Sequence, residues 1–94
     1  MSKQSSKKNI QSIIIKFKRD YLLDERGNQR PTVTEKIYED NSSYLGEVTK
    51  DQRNGIGLYS YANGDAFAGE WKDDKFHGTG VYIFTNGDRY EGHL

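Results

Sequence analysis

The hydrophobic rhythm of the chain changes near residue 33. Ahead of it Ile10, Ile13, Ile14, Phe17 and Tyr21 recur at i, i+3, i+4, i+7 and i+11, one stripe of an α-helix. Lys16, Arg19 and Asp20 fall largely off that stripe. Arg26-Gly27-Asn28, with Pro31 behind it, reads as a C-terminal stop. The β-branched run Ile13–Ile15 leaves a strand over 13–17 as the alternative. Beyond residue 33, runs of five alternate with period two: Tyr44–Val48, Gly57–Tyr61, Phe67–Trp71 and Gly80–Phe84. Bounded by Asn-Gly-Asp, such runs predict half-buried strands joined by hairpin turns. Asn63-Gly64 and Asn86-Gly87 are expected to supply positive φ there, and Gly55 and Gly78 to do so in the longer turns.

These runs are copies of one another. Residues 44–66 laid over 67–89 give nine identities in a 23-residue period, and a third copy opens over 90–94. A fixed period of this size means stacked supersecondary units, with function on an extended surface. Antiparallel pairing of consecutive strands predicts three rows across the sheet. One is aromatic (Tyr44, Tyr61, Phe67, Phe84, Tyr90). The next alternates glycine with tyrosine (Gly46, Tyr59, Gly69, Tyr82, Gly92). The last is Val48, Gly57, Trp71, Gly80 and Leu94. Each glycine would then be covered by a neighbouring ring. Tyr38 falls beside Tyr44 in this scheme, so residues 33–43 read as a degenerate half repeat. The expectation is about six strands in one antiparallel meander, preceded by a basic arm over 1–32.

Composition adds a division of charge. The formal net charge is zero, but residues 1–30 carry eight Lys/Arg against three acids, and residues 31–94 carry six against eleven. The repeats are therefore unsuited to nucleic acid, and only the arm has the charge for an anionic membrane. No run of ~20 apolar residues exists to span a bilayer, and Ser2 excludes N-myristoylation. Residues 1–19 hold Lys and Ser without an acid, which leaves a mitochondrial presequence as a minority reading. There is no cysteine, which excludes disulfides and thiolate metal sites. The stripe on the arm has three uses open to it: covering Ile37, Leu45, Leu58, Val81 and Ile83 on the face away from the aromatics, docking into a partner, or lying on lipid.

Catalytic patterns are missing. His77 and His93 lack partners at zinc spacing, and His77 reads as a turn residue satisfying nearby backbone. Asp73-Asp74 lacks the other acids of a calcium loop and reads as solvated turn charge. Gly55-Ile56-Gly57 and Gly78-Thr79-Gly80 lack the third glycine and helix of a dinucleotide site. Glu47 and Glu70 recur at equivalent positions, which points to sheet or partner contacts rather than an acid/base pair. No enzyme activity and no cofactor are expected.

The repeat resembles the MORN repeat, whose pattern is roughly Tyr-x-Gly-x-Trp, a short turn, His-Gly-x-Gly, an aromatic pair, then Asn-Gly. The second copy fits closely, through Phe67, Gly69, Trp71, His77, Gly78, Gly80, Tyr82, Phe84, Asn86 and Gly87. The first has Val48 for Trp and Asn54 for His. The resemblance implies a mainly β fold, a single-layer antiparallel meander of MORN-type hairpins, here with an N-terminal amphipathic helix. It also implies scaffolding: proteins of this kind serve in ciliary axonemes such as radial spoke heads, in cytoskeletal and membrane-junction structures, and as appendages on enzymes.

The function expected is thus a non-catalytic protein–protein interaction module, a small accessory subunit of a cytoplasmic, cytoskeletal or ciliary assembly. The alternatives are an adaptor on anionic lipid and a mitochondrial complex subunit. The residues expected to meet a partner are Tyr59, Tyr61, Trp71, Tyr82, Phe84, Tyr90 and Leu94 on the sheet, with Ile13, Phe17 and Tyr21 on the helix. Asn63, Gly64, Gly78, Asn86 and Gly87 are expected to shape turns. The strand over 90–94, lacking a following partner, is expected to accept another chain by β-augmentation.

Overall fold

The computed structural model describes residues 10–93, with Leu94 and residues 1–9 outside that range. The expected mainly β architecture is present: a six-stranded antiparallel sheet in sequential order preceded by a short helix. The strands are β1 (Val33–Ile37), β2 (Ser43–Thr49), β3 (Gln52–Ser60), β4 (Ala66–Lys72), β5 (Lys75–Ile83) and β6 (Arg89–His93). The helix α1 spans Ile10–Phe17 and widens into a π-helical turn over Lys18–Leu22. It ends there, not at Arg26. Leu23 donates to the Lys18 carbonyl five residues back, and the chain then forms a tight loop with Gly27 at positive φ.

The wide turn changes which side chain reaches the core. At π spacing Leu22, five residues after Phe17, is carried into the sheet and fully buried, while Tyr21 is left 54 % exposed. Ile13, Ile14 and Phe17 pack with Leu22 over Val33, Leu58, Ala66, Ala68 and Ile83. The helix therefore covers the aliphatic face of its own sheet. Ile37, expected under that cover, is 76 % exposed because it closes the edge strand β1 beyond the helix's reach.

The row pairing differs from expectation by two residues. Tyr44, Tyr59, Phe67, Tyr82 and Tyr90 form one row, and Gly46, Gly57, Gly69, Gly80 and Gly92 form the next. The hairpin tips explain the offset. Tyr61 pairs with Asp65 through a three-residue loop, Phe84 with Asp88, and Tyr38 with Ser42. Tyr38 therefore faces Ser42 rather than Tyr44. Gly64 and Gly87 take positive φ in these loops, and Asn41 does so in the first. Asn63 and Asn86 act instead through their side chains, whose Oδ1 atoms accept the backbone N–H of Asp65 and Asp88.

At the opposite end the turns are two residues long, with Lys50-Asp51 and Asp73-Asp74 at positive φ. Gly55 and Gly78 lie inside β3 and β5, at bulges where these strands carry extra residues. Glu47 Oε1 accepts the Ile56 N–H across one bulge, and Glu70 Oε1 the Thr79 N–H across the other. The recurrence of Glu47 and Glu70 thus serves the sheet, by satisfying donors that the bulge removes from the ladder.

Candidate functional site: the aromatic face

Alternation along the strands sends aliphatic side chains to the helix side and rings to the other. Tyr44, Phe67 and Trp71 are buried at the centre of the ring face, with Tyr38, Tyr59, Tyr61 and Tyr82 half-buried around them. Rings run in a continuous chain: Tyr38 stacks on Tyr59 at 5.8 Å, Tyr59 meets Tyr61 at 4.8 Å, Tyr61 meets Tyr82 at 5.5 Å, and Tyr82 meets Phe84 at 4.8 Å. Among the described residues no second layer covers this face. Its margin remains open at Phe84, 42 % exposed, and Tyr90, 54 % exposed.

The glycine row lets the rings lie flat. Side chains added at Gly46 and Gly57 would run into Tyr44, and at Gly80 into Phe67. Rings thus cover bare glycine backbone as expected, but each ring reaches along its own strand and diagonally across the pair. The Tyr44 hydroxyl donates to the Glu47 carbonyl at 2.7 Å, and the Trp71 indole N–H to the Gly57 carbonyl at 3.2 Å.

Arg53, which alternation does not single out, is the charged centre of the face. Its guanidinium lies 4.8 Å from the Trp71 ring, 5.1 Å from Tyr59 and 5.8 Å from Tyr38. Asp74 closes the clasp: its Oδ1 accepts the Arg53 backbone N–H at 2.8 Å and Nε at 3.1 Å, and its carbonyl accepts Nη2 at 2.9 Å. The backbone N–H of Arg53, before its guanidinium, holds the Asp74 carboxyl below the usual carboxylate range. Asp74, expected as a solvated turn charge, does lie in the turn with its side chain 44 % exposed, and it is also the ion-pair partner of Arg53. A cavity of about 340 Å³ adjoins the clasp, lined by Arg53, Tyr59, Tyr61, Trp71, Asp74, Lys75 and Phe76.

The phenols answer to burial. Desolvation pushes Tyr61 up to about 12 and Tyr44 higher still. Tyr82 is also raised, by desolvation and then by its hydrogen bond to Asp65 Oδ2 at 3.1 Å. All three stay neutral near pH 7, so the face presents rings and hydroxyls.

Of the expected partner residues, Tyr59, Tyr61, Tyr82, Phe84 and Tyr90 share the ring face. Trp71, 5 % exposed, is packed between rings and serves their support. Ile13 and Phe17 face the chain's own sheet, and Leu94 lies outside the described residues. His77 is exposed on β5, within a strand and not in a turn. Phe76, also unforeseen, stacks on Phe67 at 4.1 Å. The signal for Arg53 was a basic residue on a strand two positions past a tight turn, which alternation alone treats as solvent-facing.

The MORN repeat family model matches residues 44–66 and 67–89, the same two copies that the period defines. No curated protein sequence matches the chain. MORN repeats are generally modules of interaction with proteins or membranes and are not of an enzymatic type. With the matched repeats, the glycine row and the hairpin geometry in agreement, residues 44–66 and 67–89 are two MORN repeats.

Proposed function

We propose that the protein is a non-catalytic docking module whose ring face receives a protein partner. One observation carries this reading: the helix occupies the aliphatic face, whereas the rings on the other face have no cover among the described residues. Rings with hydroxyl edges supply large contact area at low entropic cost, as binding surfaces need. The outer edge of β6, paired with β5 alone among the described residues, offers a second point of attachment by strand addition. The setting we assign, from family habit, is a cytoskeletal or ciliary assembly in the cytoplasm, with this chain as accessory subunit.

A second reading has its own observation. Ile15 is exposed beside exposed Lys16 and Arg19, and Tyr21 is exposed at the margin of the cleft between helix and sheet. That surface suits an anionic membrane. The two readings separate in one experiment. Tagged wild-type chain and a Tyr61→Ser/Phe84→Ser variant are recovered gently from native cells, and both are floated with phosphatidylserine vesicles. A stoichiometric protein set lost by the variant supports docking. Flotation of both proteins with no such set moves the assignment to the membrane.

A further inference from the structure

The two repeats build the same ring pair and fill it differently. In the first, Tyr38 and Tyr59 lie 5.8 Å apart and the chain's own Arg53 sits over them. Twenty-three residues on, Tyr61 and Tyr82 form the equivalent pair at 5.5 Å. The neighbouring contacts repeat as well, Tyr59 to Tyr61 and Tyr82 to Phe84 both at 4.8 Å. The residue equivalent to Arg53 is Phe76, and its ring turns back onto Phe67 and Trp71. The second ring pair therefore lacks a guanidinium at the position Arg53 holds in the first, although Lys75 lines the cavity beside Tyr61.

We infer that the Tyr61/Tyr82 pair is a slot for an arginine side chain of a basic partner segment, with Phe84 as its outer wall. The inference rests on the docking reading of the ring face and names the chemistry of the partner. Three observations favour a cation. Arg53 shows that this repeat geometry accepts a guanidinium at cation–π distance. Tyr82 donates its hydroxyl hydrogen to the Asp65 carboxylate, where Tyr59 meets the neutral hydroxyl of Ser42. That bond enriches the phenol ring and places a negative charge at the slot. The hairpin tips over 38–42, 61–65 and 84–88 carry Glu39, Asp40, Asp65 and Asp88 and no lysine or arginine. A basic segment crossing the tips would be drawn in by charge and held by the rings. Arginine suits the slot better than lysine, because its planar group stacks and sheds water readily.

The test is a titration of the isotope-labelled full chain with two capped pentapeptides, Ala-Phe-Arg-Phe-Ala and its citrulline counterpart. Citrulline keeps the plane and loses the charge. The expected result is saturable shifts of the Tyr61, Tyr82 and Phe84 amides, with the arginine peptide bound about tenfold more tightly. Phe76→Arg, which places a guanidinium where the first repeat has one, should remove that preference. Because Phe76 also supports Phe67, Tyr61→Leu is the second variant, and it should weaken the arginine peptide alone. Equal binding of both peptides at the ring face would overturn the slot while leaving protein docking in place. Shifts confined to the tip residues, abolished by roughly 0.3 M salt, would overturn it as general charge attraction. Binding of neither peptide to the face would overturn it outright, and the recovery of face-dependent partners would then judge docking separately.

Discussion

The guanidinium of Arg53 lies 4.8 Å from the Trp71 ring and is tied to Asp74, so a residue of β3 locks a residue of β4 and the turn that follows it. One side chain thereby spans the joint between the two repeats. Arg53→Met, which keeps the apolar stem, should lower stability by about 1–3 kcal/mol. Trp71 is the single tryptophan, and its emission in urea reports the change directly. An unchanged midpoint would mean that the clasp is solvated and contributes nothing.

The glycine row makes the second prediction. A Cβ at Gly69 would stand 2.6 Å from the Gly80 Cα and 2.7 Å from the Thr79 carbonyl oxygen, both backbone atoms that cannot step aside. At Gly92 the nearest atom is the hydroxyl of the exposed Tyr90, at 3.0 Å. Gly69→Ala should therefore cost roughly 3 kcal/mol or more, and Gly92→Ala less than about 1 kcal/mol. Thermal unfolding of the two variants by circular dichroism gives the comparison. Equal losses would show that generic strand propensity, and not cross-strand contact, sets the price.

The same row shows what the sequence conveyed and what it withheld. Period and alternation were enough for the meander and its two faces. They left open whether the helix covers the aliphatic side chains, a partner or lipid, and the packing of Ile13, Ile14 and Phe17 on the sheet decides it. The register was not legible, because it depends on where each hairpin closes. Tyr61 and Asp65 close around a three-residue loop, and β3 and β5 absorb extra residues at Gly55 and Gly78. Neither feature changes the hydrophobic pattern, yet together they move every ring by two positions. Arg53 escaped for a related reason: its value comes from Tyr38 and Asp74, fifteen and twenty-one residues away in sequence.

Leu22 and Tyr21 carry the third prediction, since the π turn exchanges their roles. Leu22 is fully enclosed between helix and sheet, whereas Tyr21 rests on Phe17 at 5.0 Å with most of its ring in water. Leu22→Ala should cost about 2–5 kcal/mol. Tyr21→Ala should stay within about 1 kcal/mol. Amide exchange over 10–22 offers the sharper readout: Leu22→Ala should release protection there first. The reverse order of losses would place an ordinary α turn at Lys18–Leu22, with Tyr21 inside.

The last prediction concerns alkaline pH. Burial raises Tyr61 to about 12, against about 10 for an unfolded tyrosine. Tyr44 and Tyr82 are raised in the same direction. A raised phenol means that the folded state holds its proton after the unfolded chain has released it. Its contribution to stability is thus complete below about pH 10 and falls as pH climbs through the folded value. The tyrosinate absorbance lost in Tyr61→Phe relative to the wild type should report Tyr61 ionising only as the sheet opens, between about 10 and 12. Tyr61→Phe, which keeps the ring and removes the ionisable hydroxyl, should shallow the loss of stability across that interval. If Tyr61 ionises near 10 while the β-sheet signal persists, its part of the ring face is open to water, and the desolvation that raises this phenol is not there.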